Sequence, residues 1–224
     1  MRHAEVDGLR VLLDLGTERY RVLDDIGSVL WSVLVGDADE HFTFEALARR
    51  YELERARFQT DLAAFAQRCV DERLLQRPDA LAVPNASRSP RRPGRGGHAG
   101  TAQAVSALIA TRRASRRDGF RVTYERYGLL PVGARPRSLE AVLPACARAE
   151  NFFVARRAPK DCLLRSLSLY RFLRAAGVGA AHVMGVRRFP FVAHAWVECD
   201  GTPVCDERAR GFTPIARIGD VLVA

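Results

Sequence analysis

Lysine is almost missing from this chain: Lys160 is the single example among 35 Lys and Arg residues. Long apolar runs are missing too. No stretch of about 18 uninterrupted apolar residues occurs, which excludes a helical membrane span. The opening segment "MRHAEVDGLRVLLDLG" places acidic residues where a secretory signal needs its apolar run, so a cytoplasmic protein that uses no membrane is expected. The five cysteines, at 69, 146, 162, 199 and 205, are odd in number and lack the spacing of a disulfide framework or a zinc knuckle. In a reducing compartment they are free thiols, most of them packing as small hydrophobes. What is abundant is apolar residues, 48% of 224, enough for one large core or two small ones.

Charge divides the chain. Residues 1–77 carry 11 Arg against 15 Asp and Glu, a net −4, whereas residues 78–224 carry 24 Arg and Lys against 11 acids, a net +13. Between the halves lies "RPDALAVPNASRSPRRPGRGGHAG" (77–100), dense in Pro, Gly, Ser and Arg and without apolar periodicity. Such a stretch cannot bury enough surface to offset its ordering entropy, so it reads as a linker. The organisation expected is a first domain over 1–80, a tether over 81–100 and a second domain over 101–224.

The first domain opens with two strand-like runs, 9–15 and 19–24, joined through Gly16-Thr17-Glu18 at hairpin length. Before Leu9 the chain is short, and a further strand there is doubtful. Three helical patterns follow: 24–36, ending at Gly36; a segment starting at Thr43 as N-cap; and 54–75, with Phe58, Leu62, Phe65, Cys69 and Val70 on one face. A hairpin with three helices predicts a small winged-helix-like module. Its net acidity opposes binding to nucleic acid, since phosphate contacts need the opposite sign. A sheet edge that captures an extended peptide suits it better.

The second domain reads as helices followed by strands, an α+β arrangement with helices packed on an antiparallel sheet. Helices are expected at 101–117, at 138–153 with Ser138 as cap and Cys146 as packing, and at "DCLLRSLSLYRFLRAAG", entered through Pro159 and Asp161 and stopped by Gly177. Strands follow in "AAHVMGVRRF" and "FVAHAWVEC", with "PVCDE" returning after Asp200-Gly201.

Three residues in this domain carry candidate chemistry. Cys162 sits in the first turn of its helix, where unpaired N–H groups and the helix dipole favour a thiolate. Alternation along 191–199 puts Ala193, Ala195, Val197 and Cys199 on an apolar face and His194, Trp196 and Glu198 on the other. The partner of His194 then depends on hairpin register. A two-residue Asp200-Gly201 loop would set Ala195 against Asp206. A three-residue loop, Cys199-Asp200-Gly201 with a left-handed Gly201, pairs Glu198 with Thr202 and puts His194 opposite Asp206, Cβ atoms about 4.5–5.5 Å apart. The second register keeps an aspartate out of the core and is the one expected, with Cys205 turned into the core beside Ala195. Cys162, His194 and Asp206 would together supply a thiolate, a base that later protonates the leaving amine, and a carboxylate that fixes the imidazole tautomer. A zinc site from His182, His194, Cys199 and Cys205 is the metal alternative. In that register His194 and Cys205 face opposite ways, so no metal is expected.

The same segments resemble a family. "DCLLRSLSLYRFLRAAGV", "GVRRFPFVAHAWVECDGTPVCDE" and "FTPIARI" are similar to the B-type maturation proteases of lasso peptides, whose catalytic domain is a transglutaminase-like, papain-type cysteine peptidase. "VLLDLGTERYRVLDDIGSVLWSVL" resembles the PqqD-like element that recognises leader peptides of ribosomally made natural products. What the resemblance implies is a leader peptidase with both modules on one chain. Catalysis would rest on Cys162, His194 and Asp206, without a cofactor. Cys162 N–H would be one oxyanion donor, and the last leader residue would be carried as an acyl-enzyme. The leader of a lasso precursor peptide would add as a strand along Arg19, Tyr20, Arg21, Val22 and Leu23, against Phe58 and Leu62. The implied partner is an ATP-dependent, asparagine-synthetase-like cyclase that uses the freed core N-terminus. Two rivals remain at this level: acyl transfer to an amine, as in transglutaminases and arylamine acetyltransferases, and a non-catalytic peptide- or DNA-binding scaffold.

Overall fold

A computed structural model describes residues 1–75, 100–154 and 162–219. Residues 81–99 of the tether expected over 81–100, and the helix entry through Pro159 and Asp161, lie outside these residues. The chain divides into two compact units, Met1–Ser87 and Arg88–Ala224.

The first unit begins with a strand that the sequence reading left doubtful. β1 (Arg2–Val6) pairs antiparallel with β2 (Leu9–Asp14) through the two-residue Asp7-Gly8 turn. Both turn residues have positive φ, +49° and +79°, as a tight hairpin turn requires. β3 (Arg19–Val22) pairs with the other side of β2, so the sheet has three strands in order β1-β2-β3 rather than a lone hairpin. Asp14 closes the β2–β3 loop by accepting from Gly16 N–H at 2.8 Å and Thr17 Oγ1 at 2.7 Å.

Three helices follow. α1 (Asp25–Leu34) is capped by Asp24, whose carboxylate accepts from Gly27 N–H at 2.7 Å, and the chain turns out at Gly36 with φ +79°. α2 (Glu40–Tyr51) starts a turn earlier than the Thr43 cap expected. Asp39 is the stronger cap, accepting from Phe42 N–H at 3.0 Å, with Glu40 complementing the dipole behind it. α3 (Arg55–Asp71) brings Phe58, Phe65 and Cys69 against Leu12, Leu30, Trp31 and Phe44 to make the core.

The second unit is helices on one antiparallel sheet, the α+β class expected. α4 (Thr101–Asp118) leads into α5 (Phe120–Gly128), a short helix set off by Gly119 at φ +79°. α6 (Leu139–Val154) opens on Ser138, whose Oγ accepts from Ala141 N–H at 3.4 Å. α7 (Cys162–Ala175) packs against α4, and its buried face includes Leu167, Tyr170 and Leu173. It stops at Gly177, φ +87°, where Val178 N–H reaches Leu173 C=O and Gly177 N–H reaches Arg174 C=O, the paired bonds of a left-handed helix stop.

The sheet runs β6-β5-β4-β7: β4 (Ala181–Arg187), β5 (Val192–Cys199), β6 (Thr202–Pro203) and β7 (Thr213–Ile218). One face meets the helices through His182, which lies edge-on to the rings of Tyr124 and Tyr170. The other face carries a smaller cluster of Val183, Trp196, Ala209 and Phe212. Both faces are therefore covered, so Trp196 and Glu198 are buried although they alternate with the apolar set.

Candidate active site

Cys162 is the first residue of α7, and α7 packs on β5. The meeting of its sulfur with that strand follows from the backbone. Val204 N–H donates to Val197 C=O at 2.8 Å, so the peptide groups of Val197 point off the outer edge of β5. By the two-residue period those of Ala195 do the same. β6 pairs with Cys199 and Glu198 and then leaves, and Ala195 N–H donates to the Cys162 sulfur instead. The thiol therefore lies off the strand edge, beside the residue that follows His194.

His194 holds both groups. Its Nε2 lies 2.6 Å from Asp206 Oδ2, which leaves Nδ1 for the hydrogen bond it makes with Cys162. That bond to His194 lowers the Cys162 thiol below its usual range. Burial opposes the shift, while N–H donors from Ala195 and Leu163 reinforce it. The bond to Cys162, with Asp206 behind it, raises His194, again against burial. Opposite shifts on adjacent groups both favour the thiolate–imidazolium form of the pair. Such a pair is a nucleophile with a proton donor beside it.

The register that delivers Asp206 differs from the one expected. Cys199 pairs with Thr202 and Glu198 with Pro203, so the loop is the two-residue Asp200-Gly201, with φ +50° and +75°. Gly201 is left-handed, but the bulge comes later. Cys205 takes φ +52° just past the ladder and re-aims the chain. Asp206 then caps a 3-10 turn, Glu207–Ala209, its Oδ1 accepting from Arg208 N–H at 3.1 Å while Oδ2 meets His194. Consequently Cys205 is exposed rather than packed beside Ala195. Cys199 is half-buried, and burial pushes its thiol up to about 11. His182 and His194 occupy opposite faces of the sheet, which removes them from any common metal site.

The surroundings of His194 were not legible in the sequence. The Trp196 ring stacks on it at 6.1 Å and 20°, and Phe212 lies 5.4 Å away. Within α7, Ser166 Oγ donates to Cys162 C=O at 2.7 Å and lies 2.8 Å from His182 Nε2. With the hydroxyl proton spent on Cys162, His182 donates to Ser166. Its own Nδ1 is buried with no hydrogen-bond partner among the described residues. Burial holds His182 neutral, its pKa lowered to about 3.

In the first unit, Arg19, Tyr20, Arg21 and Val22 lie on β3, a terminal strand of its sheet. Val22 is 44% exposed, and Arg21 forms an ion pair with Glu72 just past α3, a residue the sequence reading did not single out. Leu23 and Leu62 are half-buried against the core. Phe58 is 1% exposed inside that core, because its helical stripe is the one that meets Leu12 and Phe44, so its side chain is withheld from any ligand.

A family model described as the transglutaminase-like superfamily matches residues 104–217. The chain belongs to that superfamily. A second model, coenzyme PQQ synthesis protein D, matches residues 10–75 ahead of the transglutaminase-like part. PqqD-like then transglutaminase-like is the module pairing of a lasso-peptide B protein with both parts on one chain. A comparison with curated proteins gives no match. Among solved structures, TbiB1 in complex with the TbiA(beta) leader peptide is 31% identical, covering 33% of this chain and 86% of that one, with a TM-score of 0.29.

Proposed function

We propose that this transglutaminase-like protein is a cysteine peptidase that binds the leader of a lasso precursor peptide and cuts it from the core. The observation that carries the reading is the Cys162–His194–Asp206 line, with its lowered thiol, raised imidazole and 2.6 Å histidine–aspartate contact. Cys162 Sγ attacks the carbonyl carbon of the scissile peptide bond. The oxyanion that forms faces the start of α7, where first-turn N–H groups lack intrahelical acceptors. His194 passes its proton to the departing amine, the C–N bond breaks, and the leader remains on Cys162 as a thioester. Water, deprotonated by His194, then releases the leader acid.

Substrate choice is assigned to the PqqD-like unit. β3 is a terminal strand on which Arg19, Arg21 and Val22 are exposed, suited to strand addition by the leader. Holding both modules on one chain raises the local concentration of the scissile bond at Cys162. The freed core amine is the nucleophile that a partner ATP-dependent, asparagine-synthetase-like cyclase would consume. The superfamily match also favours a second reading, in which an amine rather than water accepts the acyl group. The test is mass spectrometry of a precursor incubated with wild type and with Cys162→Ala, alongside leader-binding anisotropy. Cys162→Ala should bind leader as wild type does and leave the precursor intact. Retained cutting would remove Cys162 as the nucleophile.

A further inference from the structure

We propose that Glu198 is a positioning residue of this site, acting through Trp196 to set the rotation of the His194 ring; this rests on reading Cys162 and His194 as the nucleophile and its base. Alternation puts His194, Trp196 and Glu198 on one face of β5, and each grips the next. The bonds to Asp206 and Cys162 hold the two ring nitrogens of His194 but leave the ring free to rock about the line between them. The stacked Trp196 face at 6.1 Å and 20° removes that freedom. Trp196 is held in turn, its Nε1–H donating to Glu198 Oε1 at 2.7 Å. The second carboxylate oxygen, Oε2, accepts from Arg217 Nη1 of β7 at 2.5 Å.

Glu198 is 9% exposed, and a carboxylate so placed is costly unless paired. Both of its oxygens are occupied, which makes it a fixed anchor. The backbone also leaves room for the indole. A Cβ on Gly185, cross-strand from His194, would stand 2.7 Å from Trp196 Cη2 and 2.9 Å from Cζ3, closer than real side chains come. Charged groups around the set are Cys162, Asp206, Arg217 and, over the Phe212 ring at 5.5 Å, Arg187.

An ion pair between β5 and β7 could serve stability alone, so the test reads the thiol rather than the fold. The rate of Cys162 carbamidomethylation by iodoacetamide is followed against pH by peptide mapping of the full chain, for wild type, Glu198→Gln and Trp196→Phe, with thermal melts in parallel. In wild type the reactive form should persist well below the ordinary thiol range. In both variants the acid limb should move up by about one pH unit, a roughly tenfold loss of rate at acid pH, converging with wild type in alkali. Profiles that superpose on wild type, with or without a lowered Tm, overturn the proposal. Should Glu198→Gln not fold, Trp196→Phe decides alone, since it keeps an aromatic ring at that position and deletes the donor. The assay needs no peptide, so a failure to cut precursor with these profiles intact counts against the peptidase reading instead. A wild-type thiol that titrates in the ordinary range removes the ion pair and this proposal with it.

Discussion

The contact between His194 and Asp206 hangs on the backbone of Cys205. A non-glycine residue at φ +52° is strained by about 1 kcal/mol or more, and here that turn moves Asp206 from the core side of the strand to the histidine. Cys205→Gly should therefore keep or slightly raise stability and retain full activity. Cys205→Val, whose branched Cβ resists positive φ, should slow cleavage at least roughly tenfold with the leader still bound; equal rates for the two variants would discount the bulge. The pairing of His194 with Asp206 was legible from residue types, because an aspartate in a core is costly and a histidine opposite offered it a partner. The register was not, since a left-handed cysteine leaves no mark in the sequence. The face of Phe58 was legible as apolar, but its place in the core rather than against a ligand was not.

At the scale of elements, α7 was the best signalled. Its stop at Gly177 is a steric requirement: a Cβ there would fall 2.1 Å from Arg135 C=O. Gly177→Ala should destabilise the transglutaminase-like unit by about 2 kcal/mol or more, read as a drop in Tm with leader binding by the first unit preserved. β1 and α5 were among the elements missed, as was β7. β1, "RHAEV", has little strand character of its own and owes its place to the Asp7-Gly8 turn and to β2. α5 is set off by Gly119 within an Arg-rich run that reads as continuous with α4. In both, tertiary pairing outweighs local propensity.

For the whole molecule, His182 gives a pH signature. Its folded pKa is about 3 against an ordinary 6.5, so the unfolded chain takes up its proton first. Stability from this group is therefore full above about pH 6.5 and falls as pH drops toward 3, by at most ~1.4 kcal/mol per pH unit. His182→Gln should flatten that slope in denaturant melts; an unchanged slope would place the titration elsewhere. Charge and composition divide the chain near residues 77–100, and the tether argument built on that division has its own check. Residues 1–80 and 101–224 supplied as separate chains at micromolar concentration should process precursor far more slowly than the joined chain, and equal rates would set tethering aside.

The central claim is that Cys162 carries the leader as a thioester. It is tested most directly by cutting precursor in the presence of increasing hydroxylamine and weighing the leader fragment. The account predicts that leader hydroxamate replaces leader acid as hydroxylamine rises, with no cleavage by Cys162→Ala. Leader acid alone at every concentration, or cleavage that survives the loss of Cys162, would contradict it.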